Sequence, residues 1–89
     1  MHRTISTVFV APPAEQQLGA LAKPLRTLLV KRLQAFRITP RPFGVTKIDG
    51  LDHLYRIREG SYRIVYAIRE KDLIVLAVKS SVRREVSRA

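Results

Sequence analysis

Leu54-Tyr55-Arg56-Ile57-Arg58-Glu59-Gly60-Ser61-Tyr62-Arg63-Ile64-Val65-Tyr66 is the stretch that decides the fold. On both sides of Gly60 the residues alternate with a period of two, which predicts strands over residues 54–59 and 62–69 joined by a turn at Glu59-Gly60-Ser61. Successive strand side chains point to opposite faces, so Arg56 and Arg58 share one face while Tyr55 and Ile57 share the other. A hairpin through Gly60 can bring Arg63 to the face of Arg56 and Arg58. Tyr62, Ile64, Tyr66 and Ile68 then belong with the core side, along with Tyr55. A polar turn at Glu70-Lys71-Asp72 leads to a third strand over residues 73–79. Its apolar run, Leu73-Ile74-Val75-Leu76-Ala77-Val78, is unbroken, which predicts a strand covered on both faces.

Upstream, residues 5–10 form a short β-type run closed by Ala11-Pro12-Pro13, which predicts a first strand. Ala14, Leu18 and Leu21 recur at helical spacing, with Glu15 in the first turn where the helix dipole favours an acid. Lys23-Pro24 is a corner into a second helix, because proline suits a first turn and cannot continue a helix from before it. Leu25, Leu28, Leu29, Leu33 and Phe36 make its apolar stripe, with Arg26, Lys31, Gln34 and Arg37 largely off it. That helix ends before Pro40. Pro40-Arg41-Pro42-Phe43-Gly44 breaks every regular pattern, and the chain from there to Asp49-Gly50 reads as an exposed loop. The order is β-α-α-β-β-β, an α+β domain with an antiparallel-rich four-stranded sheet and both helices on one face. The expectation is a single domain over residues 1–89, with residues 80–89 a basic tail.

Composition narrows the chemistry. Lys and Arg number 17 against 7 Asp and Glu, a net charge of +10 on 89 residues. Such an excess favours a polyanionic partner. No segment pairs an aromatic-rich face with a lysine-rich one, so a membrane surface is the poorer match. There is no cysteine, which excludes disulfides and thiolate metal sites. His2 and His53 cannot build a metal site by themselves, and His53, beside Asp52 at a strand start, reads as a turn residue. No glycine-rich phosphate loop, Ser/His/Asp set or carboxylate pair stands at useful spacing. No long apolar run or leader pattern is visible, so the chain is expected to be soluble and cytoplasmic.

The chemistry therefore gathers on the open sheet face. Arg56, Arg58 and Arg63, joined by Arg83 and Arg84 from the tail, would set five guanidinium groups on one surface. Each is a planar donor fork matched to phosphate oxygens. Outward arginines are often only the solvated half of a strand's alternation. Here no acidic residue accompanies them, since Glu59 belongs to the other face.

Lys47-Ile48-Asp49-Gly50-Leu51, Leu54-Tyr55-Arg56-Ile57-Arg58, Gly60-Ser61-Tyr62-Arg63-Ile64-Val65-Tyr66 and Arg83-Arg84-Glu85-Val86 together resemble the RelE/ParE toxin superfamily, and the resemblance covers nearly the whole chain. It implies a toxin of a type II toxin–antitoxin system, held silent by a cognate antitoxin. In the RelE branch it implies a metal-independent endoribonuclease without cofactor, which cuts messenger RNA on the ribosome by attack of a ribose 2′-hydroxyl on the adjacent phosphate. Carried over by position, Arg56, Arg58, Arg63 and Arg83 are the catalytic candidates, and Lys47, Arg56, Arg58, Arg63 and Arg84 the RNA-binding ones. The chain departs from the family pattern at Val82 and Ser87, where histidine and tyrosine are common. Arginine, moreover, holds its proton near neutrality and is a poor general base. The resemblance thus retains the electrostatic half of the reaction and leaves two alternatives open, a ParE-like protein inhibitor of DNA gyrase and a catalytically weakened RNA-binding relative.

Overall fold

The computed structural model describes residues 5–48, Gly50 and residues 53–80. The elements are β1 (Thr7–Val10), α1 (Pro12–Gly19), α2 (Lys23–Ala35), β2 (Thr46–Lys47), β3 (Leu54–Glu59), β4 (Tyr62–Arg69) and β5 (Asp72–Ser80). The fold is α+β, as the sequence predicts, but the sheet has five strands in the order β1-β5-β4-β3-β2. The added strand is β2, which lies in the segment the sequence presents as loop. Two residues carry no periodicity of their own, and β2 exists by pairing with β3, Thr46 opposite Arg56 and Lys47 opposite Tyr55. β1 runs parallel to β5 at the other side of the sheet, with Phe9 opposite Ile74, and the remaining pairs are antiparallel.

Both helices begin on a proline in the first two positions, after an alanine in extended conformation. A proline there forfeits no helical hydrogen bond, because the first N–H groups of a helix have no partner within it. The first helix closes at Gly19, so Leu21 lies in the connection rather than in the helix, and packs against the core from there. Leu29, Leu33 and Phe36 are buried against Ile57, Ile64, Tyr66, Leu73, Val75 and Val78 on one sheet face. Leu28 departs from the expected stripe and is 55 % exposed. It stands one residue before Leu29, about 100° round the helix, and so turns away from the buried line.

The last strand corrects a second expectation. Leu73, Val75 and Val78 are buried while Ile74, Leu76 and Ala77 are only partly so, so β5 has one core face and not two. The unbroken apolar run has another cause, a bulge. β4 and β5 pair Tyr66 with Val75 but Val65 with Ala77, which leaves Leu76 as an extra residue. The insertion shifts the alternation by one, so the core face takes Val78 after Leu73 and Val75, and Lys79 is delivered to the opposite side.

The β3–β4 and β4–β5 hairpins each turn on two residues, with Glu59 opposite Tyr62 and Arg69 opposite Asp72. Gly60 (φ 63°) and Glu70 (φ 58°) each hold a left-handed conformation at the first turn position, where the II′ type favours glycine. Glu70→Gly is therefore expected to raise stability by about 1 kcal/mol, because it removes the Cβ strain of that conformation. Urea denaturation checks this, with a higher midpoint at unchanged slope as the predicted result.

Candidate nucleic-acid interface

The face of the sheet away from the helices is where the arginines gather. On β3, Arg56 and Arg58 are exposed while Ile57 between them is buried, and on β4 Arg63 is half-buried between Tyr62 and Ile64 on the core side. The register places Arg58 directly opposite Arg63. Thr46 of β2 stands opposite Arg56, and Lys79 of β5 stands opposite Arg63. Directly opposed residues of antiparallel strands share a face. The result is a basic row, Arg58-Arg63-Lys79, crossing three strands, with Arg56 and Thr46 beside it. A shallow cleft of about 330 Å³ opens there, lined by Gly44, Thr46, Arg56, Ile57, Arg58 and Arg63. Among the described residues no carboxylate lines it. Glu59, the nearest acid along β3, turns the other way, and its Oε1 lies 2.9 Å from Arg32 Nε. The Arg32 N–H is not directed at the carboxylate, so that contact is Coulombic rather than an aligned hydrogen bond.

Sequence reasoning placed Arg56, Arg58 and Arg63 together, and the structure brings these three to one cleft. Lys47 is not brought to it. Its register partner is Tyr55, so it sits on the helix side of the sheet, and Thr46 takes the cleft position. Arg83 and Arg84, with Val82 and Ser87, lie outside the described residues, as do His2, Asp49 and Asp52. Lys79 was missed. Without the bulge at Leu76, Val78 would face Arg63, and nothing in an all-apolar run announces where the alternation slips. His53 has a left-handed backbone (φ 72°), and its carbonyl accepts a hydrogen bond from Ile68 N–H at 2.9 Å, which agrees with a turn role.

Beneath the cleft, on the core side, the aromatic rings form a stack that holds the neighbouring loop. Phe36 and Tyr66 lie with ring centroids 4.6 Å apart, and Tyr55 lies 5.8 Å beyond Tyr66. The Arg41 guanidinium caps the stack 5.8 Å above Tyr55 and donates to its hydroxyl at 3.3 Å. Tyr66 is fully buried, and its hydroxyl donates to the Pro40 carbonyl at 2.8 Å. Burial, reinforced by the neighbouring Tyr55 and only partly offset by Arg32 and Arg41, pushes its pKa up to about 12. Tyr66 is thus a neutral hydrogen-bond donor at neutral pH, committed to the Pro40 carbonyl on the core side of the sheet. Because the folded-state pKa lies above the ordinary 10.0, the unfolded chain ionises first as pH rises. The contribution of Tyr66 is complete below pH 10 and is lost between about pH 10 and 12, on the order of 2 kcal/mol in all. Denaturation measured across that window should show wild type losing more stability than Tyr66→Phe, the other titrating groups being common to both.

Among the described residues no helix is long and apolar enough to cross a membrane, and no three His, Cys, Asp or Glu side chains gather as a metal site.

The fold, an open sheet with two helices behind it, has counterparts among known structures. The isolated RelE toxin of E. coli superposes with a TM-score of 0.74 at 25% identity, over 90% of this chain and 88% of that one. The RelE of the archaeal RelE–RelB complex from Pyrococcus horikoshii OT3 gives 0.76 at 25% identity, over 91% of this chain and 99% of that chain. The intact E. coli RelBE toxin–antitoxin complex gives 0.72 at 25% identity, over 86% and 98%. A comparison with curated protein sequences finds no match. The sequence model described as the ParE toxin of the type II toxin–antitoxin system, parDE, matches residues 8–84, from the first strand past the last. With that match running through every strand and helix that builds the cleft, the chain belongs to the ParE toxin family, within the RelE/ParE toxin superfamily.

Proposed function

We propose that this toxin is a ribosome-dependent messenger-RNA endonuclease working in the cytoplasm, silenced by a cognate antitoxin. The observation that carries the reading is the cleft lined by Arg56, Arg58 and Arg63, cationic on the strand that enters and the strand that leaves, with no carboxylate among the described residues that line it. Such a surface suits one phosphodiester better than an extended protein partner. In the reaction the ribose 2′-oxygen bonds to the adjacent phosphorus and the bond to the 5′-oxygen breaks, giving a 2′,3′-cyclic phosphate and a free 5′-hydroxyl. Water takes the 2′-proton and water protonates the departing 5′-oxygen, so no net proton is consumed. Arg56, Arg58 and Arg63 bind the non-bridging oxygens and stabilise the charge that builds on the phosphorane. Lys79, facing Arg63, adds a fourth cation. Arg83 and Arg84 of the tail complete the charge, and Lys47 contacts the message away from the cleft. The expected partners are the ribosome, the message and an antitoxin, the last because the RelE relatives of P. horikoshii and E. coli were solved bound to RelB. No metal or cofactor enters this scheme.

The test is to express the protein under tight control in a bacterial host and map the 5′ ends of translated messages. New ends that vanish in Arg56→Ala plus Arg63→Ala support the reading. A second reading, inhibition of DNA gyrase, is favoured by the family match to ParE rather than by the cleft. Growth arrest with intact messages and gyrase-dependent DNA breaks would select it.

A further inference from the structure

We propose that Phe43 is a stacking platform for one unpaired RNA base at the rim of the arginine cleft, an inference that rests on the RNA-binding reading above and deepens it. Phe43 is fully exposed, at 102 %, and makes no contribution to the core. Its backbone is nonetheless held in place. Pro40 and Pro42 restrict the backbone on its N-terminal side. Val45 N–H donates to the Pro42 carbonyl at 3.1 Å, closing a turn with Phe43 and Gly44 at its centre. Gly44 has φ +93°, the conformation a type II turn requires at that position. The loop is anchored from below by Tyr66 O–H on the Pro40 carbonyl and by Arg41 on Tyr55. An apolar ring left in water on a pinned turn adds no burial to the core. Its neighbour Gly44 lines the cleft, as does Thr46.

Phosphate-binding cations beside an exposed aromatic ring on an ordered turn are the two parts of a single-strand site: the cations track the backbone and the ring takes a base face. Because the turn is already ordered, binding loses little loop freedom. An RNA strand with one phosphate against Arg58 and Arg63 would lay a neighbouring base on Phe43, without preference for base identity. Stacking of this kind changes affinity on the order of 5- to 100-fold.

The test is fluorescence anisotropy of the full chain with a short 2′-O-methyl single-stranded RNA, which binds but cannot be cut, and with an abasic strand of equal length and charge. Phe43→Ala is expected to weaken RNA binding by about 5- to 100-fold while leaving the abasic strand and the salt slope unchanged. Phe43→Trp is expected to restore it. Arg63→Ala should weaken both strands and flatten the salt slope. If Phe43→Ala binds RNA like wild type while Arg63→Ala does not, the platform is wrong and the cleft reading stands. Equal losses on both strands, or no rescue by tryptophan, likewise overturn the platform and fit a ring that serves a protein partner. If wild type binds neither strand, the platform falls, and the ribosome-dependent reading is judged by the 5′-end mapping alone.

Discussion

Arg63→Gln is expected to reduce RNA cleavage by a factor of about 100 or more and, in the same protein, to stabilise the fold. The loss follows from removing one fixed donor from the charge that develops on the phosphorane, a change typically worth about 10²–10³ in rate. The gain follows from the register. Arg58 and Arg63 are directly opposed on β3 and β4, and Lys79 opposes Arg63 from the other side. Like charges so placed destabilise a sheet by some tenths of a kcal/mol each, and no acid among the described residues lining the cleft offsets them. Arg58→Glu should be the stronger case, since it replaces a repulsive pair with an attractive one while abolishing phosphate binding. Both gains should shrink as salt screens the charges. Urea midpoints at low and high salt, measured beside the cleavage rate, check the prediction. A variant that lost stability along with activity would mean that the arginines are there for the sheet and not for a ligand.

Tyr66→Ala is expected to cost about 3–5 kcal/mol, a large part of the stability of so small a protein, whereas Tyr66→Phe should cost only about 1 kcal/mol. The tyrosine ring is fully buried between Phe36 and Tyr55, so its removal opens a cavity across the stack and frees the Pro40 carbonyl. The phenylalanine variant keeps the ring and loses one hydrogen bond. Thermal denaturation should separate the two, with a shift of a few degrees for Phe and well over ten degrees for Ala. Comparable midpoints would contradict the account of the stack as the brace of the Pro40–Gly44 loop. Such a loss is structural, and reduced cleavage by the alanine variant would carry no information about the reaction.

The β3–β4 hairpin was legible in the sequence because polar and apolar residues alternate cleanly about Gly60, and that alternation alone assigns Arg56, Arg58 and Arg63 to one face. The helices were legible from their prolines and apolar spacing, except at Leu28, where a wide stripe conceals which edge turns to solvent. Three features were not legible, each for a physical reason. β2 is two residues held by its partner, with no local pattern. The parallel pairing of β1 with β5 joins strands more than sixty residues apart, and nothing local encodes it. The bulge at Leu76 falls in a run with an apolar residue at every position, where a one-residue slip leaves no trace in polarity. The last of these hid Lys79 from the candidate site. Lys47, conversely, was carried over with the family pattern, and the register sets it on the opposite side from the cleft.

The most direct test of the central claim is cleavage of a message on programmed ribosomes by the purified protein, comparing an all-ribose message with one carrying a single 2′-deoxynucleotide on the 5′ side of the cut. The account predicts a 2′,3′-cyclic phosphate and a 5′-hydroxyl from the first, no cut in the second, and loss of both products in Arg63→Gln. Cutting at the deoxy position, or full activity in Arg63→Gln, would contradict it.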